Sequence, residues 1–228
     1  MAKHDPARIL FTGRNAKSAA ATLQRIKSGA PNAVATFVAC DVASLSSVSS
    51  GANQILTECD RLDVFLANGG IIAKPAELST DGYEIHFASN HMGHALLAKK
   101  LLPLLEKTAD LPNSNVRIIY TTSLGWRNGT LDPWKLKTPM EAAILGRWIR
   151  YGNSKLDNMF YAREIARRHP KVLSSSLHPG ARSSGQIKTR GFYEPVGVFP
   201  PEDDAVAKDD KFAKDLWEYT EKELEKWM

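Results

Sequence analysis

The chain has 228 residues, 43% hydrophobic and 24% charged, with a net charge of +5, which suits one domain over 1–228 and demands no second. Its basic residues are scattered among acids rather than clustered beside stacking aromatics, which argues against a nucleic-acid surface. Cys40 and Cys59 lack metal-ligand spacing, the polar start is too short of apolar residues for a secretory signal, and no run approaches the roughly 18 apolar residues of a membrane span, so a cytoplasmic setting is expected.

In chain order, Arg8–Thr12 reads as a strand that stops at Gly13-Arg14-Asn15, and a helix follows from Lys17 to about Ile26. Ala33–Ala39 is a second strand ending at Cys40-Asp41, then a helix over Ser46–Leu56 and a third strand over Leu62–Leu66. A long helix is expected from Thr80 to Leu105, with Pro103 near a bend or end. Its His94–Leu105 portion is the chain's most apolar stretch, interrupted by Lys99-Lys100. Val116–Thr121 is the fourth strand, followed by a loop rich in Trp, Gly and Pro, the helix carrying Tyr151, and strand Val172–Leu177. Gly191–Gly197 suggests a last short strand. Phe212, Leu216, Tyr219, Leu224 and Trp227 form an apolar stripe, read as a packed terminal helix or, alternatively, a partner-binding one.

Strands alternating with helices predict an α/β fold, a doubly wound parallel sheet covered on both faces. Ligands of such sheets sit beyond the carboxyl ends of the strands. Arg14, Asp41, Asn68, Ser123 and His178 all fall there.

Tyr151 and Lys155 are four residues apart on one helix face. An ammonium beside a phenol stabilises phenolate, one way to make an acid–base group that works near neutral pH. Such spacing is also common on solvated helix faces. Upstream lie Thr121-Thr-Ser123 at the end of an apolar run, Asn90 in Phe87-Ala-Ser-Asn-His-Met-Gly93, and Leu66-Ala-Asn-Gly-Gly-Ile71; Leu177-His-Pro-Gly180 follows. In this order the set resembles the short-chain dehydrogenase/reductase family, in particular its retinol-dehydrogenase-like and fungal oxidoreductase members, over nearly the whole chain.

The resemblance implies a Rossmann-like fold and an NADP-dependent oxidoreductase that interconverts a carbonyl and an alcohol. It implies that Tyr151 donates the proton, Lys155 holds the nicotinamide ribose, Ser123 polarises the substrate oxygen, and Asn90 orders a proton-relay water. Alternatively, Asn90 is a satisfied buried amide and Ser123 a turn hydroxyl. Arg14, with no acid beside it, matches the position that accepts the 2′-phosphate of NADP, or is a surface arginine at a strand end. Asp41 and Val42 resemble the pair at the adenine, although Asp41 could simply cap the next turn. Ala67-Asn-Gly-Gly70 departs from the usual Asn-Asn-Ala-Gly but keeps Asn68 and Gly70. Pro179, Gly180 and Ser184 match the turn lining the nicotinamide. Trp126, Trp134, Trp148 and Phe192 hint at an apolar substrate, or at packing. A homo-oligomer is compatible with the resemblance.

One part of the family pattern is missing. The family opens with a strand, a glycine-rich turn and a helix whose N-terminus holds the pyrophosphate. Arg14 to Ser28 contains no glycine, and Arg8–Asn15 matches the family's second strand better than its first. The expected sheet therefore lacks the family's first strand and helix, leaving the first two strands separated from the rest or forcing the sheet to close up. A second gap is expected near Lys188–Arg190. The alternative to an active reductase is a catalytically impaired binding or scaffold protein, or a fragment of a longer reductase.

Overall fold

A computed structural model describes residues 2–4, 6–130, 136–141, 145–178, 192–193 and 209–228. The polypeptide alternates strand and helix: β1 (Ile9–Gly13), α1 (Ala16–Gly29), β2 (Ala35–Ala39), α2 (Leu45–Glu58), β3 (Val64–Ala67), α3 (Ile85–Phe87), α4 (Gly93–Ala109), β4 (Arg117–Thr121), α5 (Gly146–Arg168), β5 (Leu173–Leu177), β6 (Phe192–Tyr193) and α6 (Asp210–Leu224). Helices α1, α2 and α6 begin where a side chain satisfies a free N–H group. Asn15 accepts from Ser18 N, Ser44 from Ser47 N and Asp209 from Phe212 N.

Every named strand pair is parallel. β4 is central to one sheet of order β3-β4-β5-β6, while β1 and β2 form a separate pair. Among the described residues no strand joins β1 to β3, so the expected separation is what the fold shows. The remainder of the Gly191–Gly197 stretch, and Lys188–Arg190, lie outside the described residues.

The long helix departs from expectation at both ends. It starts as α3 at Ile85, because Gly82, at φ +82°, turns the chain and Glu84 caps the new helix through Phe87 N. It then passes through a π-helical stretch, Ala88–Met92, into α4. Pro103 neither ends nor divides α4, which runs on to Ala109. Pro103 faces solvent, where water can serve the carbonyl whose partner it removes.

Leu101, Leu105, Ile118, Phe160 and Ile165 are fully buried between helices and sheet, each contributing about 1.5–3 kcal/mol. The terminal segment does pack, as α6 against α5: the Trp217 ring stacks 4.8 Å from Tyr161. Glu221 accepts from Tyr161 Oη at 3.0 Å and pairs with Lys99 at 2.7 Å.

Candidate active site

Helix α5 carries Tyr151 and Lys155 to the carboxyl end of β4. Lys155 is buried and its Nζ donates to Thr121 O at 3.1 Å. The same Nζ lies 5.6 Å from the centre of the Tyr151 ring. Burial brings the Lys155 pKa down to about 8, because a charge taken from water is disfavoured. Thr122 Oγ1 donates to Lys155 O, and Asn158 Nδ2 donates to Thr121 O, fixing this turn of helix to the strand end.

Ser123 starts a 3₁₀ turn, Leu124–Asn128, and its Oγ accepts from Gly125 N at 3.1 Å. It is therefore a turn hydroxyl, with its own O–H still able to donate. Gly125 lies under the Tyr151 ring: a Cβ there would stand 3.0 Å from Tyr151 Cε1. Sequence reasoning missed this glycine, whose only signal was its place just after Ser123.

Asn90 sits in the π-helical stretch and is fully buried. Its Oδ1 accepts from Ile71 N at 2.7 Å and its Nδ2 donates to Ile71 O at 3.0 Å. Nδ2 also reaches Ser154 Oγ at 2.9 Å, and Ser154 donates to Tyr151 O at 2.8 Å. Asn90 is thus a satisfied buried amide and also one link of a chain ending at the Tyr151 backbone. Gly70 presses on this chain: a Cβ there would lie 2.5 Å from Asn90 Oδ1 and 3.8 Å from Lys155 Nζ. Ser154 was not singled out in the sequence, because only the fold brings α5 against the π-helical stretch.

Arg14, Asp41, Val42 and Gly70 line one cavity of about 170 Å³ at the strand ends, together with Thr12 and Ser89. Asp41 Oδ1 accepts from Ala43 N, so Asp41 does cap the following turn. Asn68 is turned instead toward β4, where its Oδ1 accepts from Thr121 Oγ1 at 3.1 Å. His94 also went unnoticed. Its Nε2 lies 2.7 Å from Gly69 O, and burial pushes its pKa down to about 4. It is therefore neutral, with its proton on Nε2 pointing at that carbonyl.

A buried polar ring secures the start of α5. Glu84 Oε1 lies 2.8 Å from His86 Nδ1 and 3.3 Å from Arg150 Nε. His86 Nε2 accepts from Lys74 N at 3.1 Å, and Arg150 donates to Lys74 O at 3.0 Å and Met140 O at 2.8 Å. Both backbone groups of Lys74 are thereby clamped beside the residue preceding Tyr151. Chain position gave no sign of this ring.

Pro179, Gly180, Ser184 and Trp134 lie outside the described residues. Trp126 is buried and serves packing, whereas Trp148 is exposed. Among the described residues, no helix is long and apolar enough to cross a membrane, and no three His, Cys, Asp or Glu side chains gather as a metal site would require.

Residues 1–130 match the family model described as short chain dehydrogenase. The chain is 30% identical over 181 residues to an uncharacterized oxidoreductase of Schizosaccharomyces pombe, covering 76% of this chain and 52% of that protein. It is 37% identical over 142 residues to retinol dehydrogenase 14 of Homo sapiens, covering 61% and 40%. The chain thus spans about half the length of these relatives, or less. The crystal structure of an uncharacterized protein from Mycobacterium paratuberculosis shares its fold, with a TM-score of 0.75 at 23% identity, covering 94% of this chain and 82% of that one.

Proposed function

The chain belongs to the short-chain dehydrogenase family, and from that premise we propose that it is an NADP-dependent oxidoreductase interconverting a carbonyl and an alcohol on a small, apolar substrate. The observation that carries this reading is the linked set at α5. Buried Lys155 faces the Tyr151 ring, and Asn90 is joined through Ser154 to the Tyr151 backbone.

Hydride would come from a reduced nicotinamide when one is bound. Tyr151 gives its phenolic proton to the substrate oxygen, which Ser123 holds through its free O–H. The Lys155 ammonium would stabilise negative charge left on the phenol and hand it the replacement proton, drawn from water that Asn90 would help to order. The residues fit a dinucleotide at its two ends. Arg14, Asp41 and Val42 would hold the adenosine half, with Arg14 on the 2′-phosphate. Lys155 would hold the nicotinamide half, with Gly70 and Asn68 fixing the backbone beside it: Asn68 through Thr121, and Gly70 by lacking the Cβ that would displace Asn90. By the family motif, Pro179, Gly180 and Ser184 would be assigned to this half as well. Between the ends, among the described residues, no glycine-rich turn faces the pyrophosphate, so binding should be weak.

An NADPH titration followed by nicotinamide fluorescence tests the reading. Saturable binding that NADH reproduces only more weakly supports it. No binding up to about millimolar NADPH, an affinity of roughly −4 kcal/mol, would overturn it. A second reading, a binding or scaffold protein built on the same fold, draws on the gap between β1 and β3 and would then take its place.

A further inference from the structure

His91 follows Asn90 in the π-helical stretch and, like it, is fully buried. This stretch lies along one face of α5. Asn90 meets Ser154, and the His91 ring stands edge-on to Tyr161 with ring centres 5.1 Å apart. Ser154, Asn158 and Tyr161 follow one another at i, i+4 and i+7 on that face. The buried Asn158 side chain therefore lies between the other two and adjoins His91.

Asn158 Nδ2 donates to Thr121 O at 3.2 Å, and its Oδ1 is buried with no other partner among the described residues. His91 Nε2 lies 3.1 Å from Thr220 Oγ1 of α6, and its Nδ1 is left in the same condition. An orphaned amide oxygen and an orphaned ring nitrogen on adjoining side chains can serve each other only if Nδ1 carries the proton. The Thr220 hydroxyl then donates to Nε2. The ring is neutral, as its burial demands: its pKa is pushed down to about 3.

This tautomer bears on Lys155. A carbonyl oxygen has two lone pairs, and Thr121 O gives one to Asn158 Nδ2 and the other to Lys155 Nζ at 3.1 Å. Turned over, the Asn158 amide would set its oxygen where Nδ2 now stands, beside the ammonium that shares this carbonyl. Lys155 would gain an acceptor and lose to it one of the two N–H groups left for Tyr151 and a nucleotide ribose. Near Lys155 the titratable groups are Tyr151 on its own helix and His94 on α4; near His91 they are His94 and Tyr161. His94 is itself neutral, so the His91 proton, rather than a second charge, decides which way Asn158 points.

We propose that His91 is a positioning residue for Lys155: its Nδ1–H holds Asn158 Oδ1, so that Thr121 O stays the one acceptor of the ammonium, and Thr220 ties this arrangement to α6. The proposal rests on the oxidoreductase reading, in which Lys155 hands on the proton. Neither nicotinamide binding nor turnover enters its test, so the two can fail separately.

Both readouts are magnetic-resonance measurements on the full chain without nucleotide. In protein with isotope-labelled histidine at about pH 7, where even an ordinary imidazole is mostly neutral, His91 should carry its proton on Nδ1 and leave Nε2 bare. A proton on Nε2 would overturn the proposal. The second readout is the titration of Lys155 in protein with isotope-labelled lysine, its signal assigned by its loss in Lys155→Met. His91→Phe keeps a ring between Phe87 and Tyr161 but has no donor, whereas His91→Asn gives up the ring and keeps an N–H near the place of Nδ1. The Phe variant should raise the Lys155 pKa from about 8 by about one unit, the worth of one added hydrogen bond to the charged form. The Asn variant should leave it in place. A ring that only packs predicts no shift in either variant, and that result, or an equal rise in both, refutes the positioning role. Where His91→Asn does not fold, the tautomer and the Phe variant decide by themselves.

Discussion

Asn90 Nδ2 donates to Ser154 Oγ across 2.9 Å, joining the π-helical stretch before α4 to the turn of α5 that holds Tyr151 and Lys155. Through this bond and the pair Asn90 makes with both backbone groups of Ile71, three segments distant in sequence are fixed against one another. Such a network holds a side chain in place more firmly than a helix face alone can.

Tyr151→Phe should lower NADPH-dependent carbonyl turnover at least about a hundredfold, the lower end for loss of a general acid. Only a hydroxyl is removed, so the urea midpoint should hardly move. Full activity in the Phe variant would eliminate Tyr151 as the proton donor.

Arg14→Ala should weaken NADPH much more than NADH, because only NADPH offers a 2′-phosphate for a charge-assisted contact. Both affinities can be read from nicotinamide fluorescence. Equal losses would mean that Arg14 does not meet the phosphate.

Gly125→Val should lower kcat about tenfold or more with little change in cofactor affinity. Even the first carbon of a side chain would stand 3.0 Å from the Tyr151 ring, and a small displacement of a reacting group is expensive. An unchanged kcat would show that the ring yields freely.

Arg150→Met should destabilise the fold by about 3–5 kcal/mol, the range for leaving a buried charge without its partner. Glu84 would lose the cation beside it, and the carbonyls of Lys74 and Met140 would lose a donor. Denaturant unfolding measures this, and a change below about 1 kcal/mol, as expected of a surface pair, would refute the clamp.

Lys155 gives the fold a pH dependence of definite sign. Its folded pKa of about 8 lies below its ordinary 10.5, so between these values the unfolded chain binds more protons and stability rises with pH. The cost of burying the ammonium is fully present below about 8 and is relieved on the way to 10.5. Lys155→Met should remove this rise, seen by comparing the urea midpoints of both proteins at about pH 7 and about pH 10. An identical rise in the Met variant would place its origin elsewhere.

Much of the architecture was legible in the sequence because apolar runs and helical stripes are local signals. The strands around Leu10, Phe37, Phe65 and Ile118, and the order of strand-end residues Arg14, Asp41, Asn68 and Ser123, could be read directly. The missing glycine turn after Arg14 left either a separated β1–β2 pair or a closed-up sheet, and the fold shows the former. Tertiary structure decided what depends on which surfaces meet. Gly82 and the Glu84 cap delayed the long helix, and solvent exposure let α4 pass through Pro103. Ser154, Gly125 and His94 joined the candidate site because α5 and α4 bring them to Asn90, Tyr151 and Gly69. The Glu84–His86–Arg150 ring closes through the backbone of Lys74, a partner chosen by packing and invisible to any periodicity. Local sequence sets the dihedral preferences and apolar faces that make the elements, whereas a hydrogen bond between distant segments exists only once the core has placed them within reach.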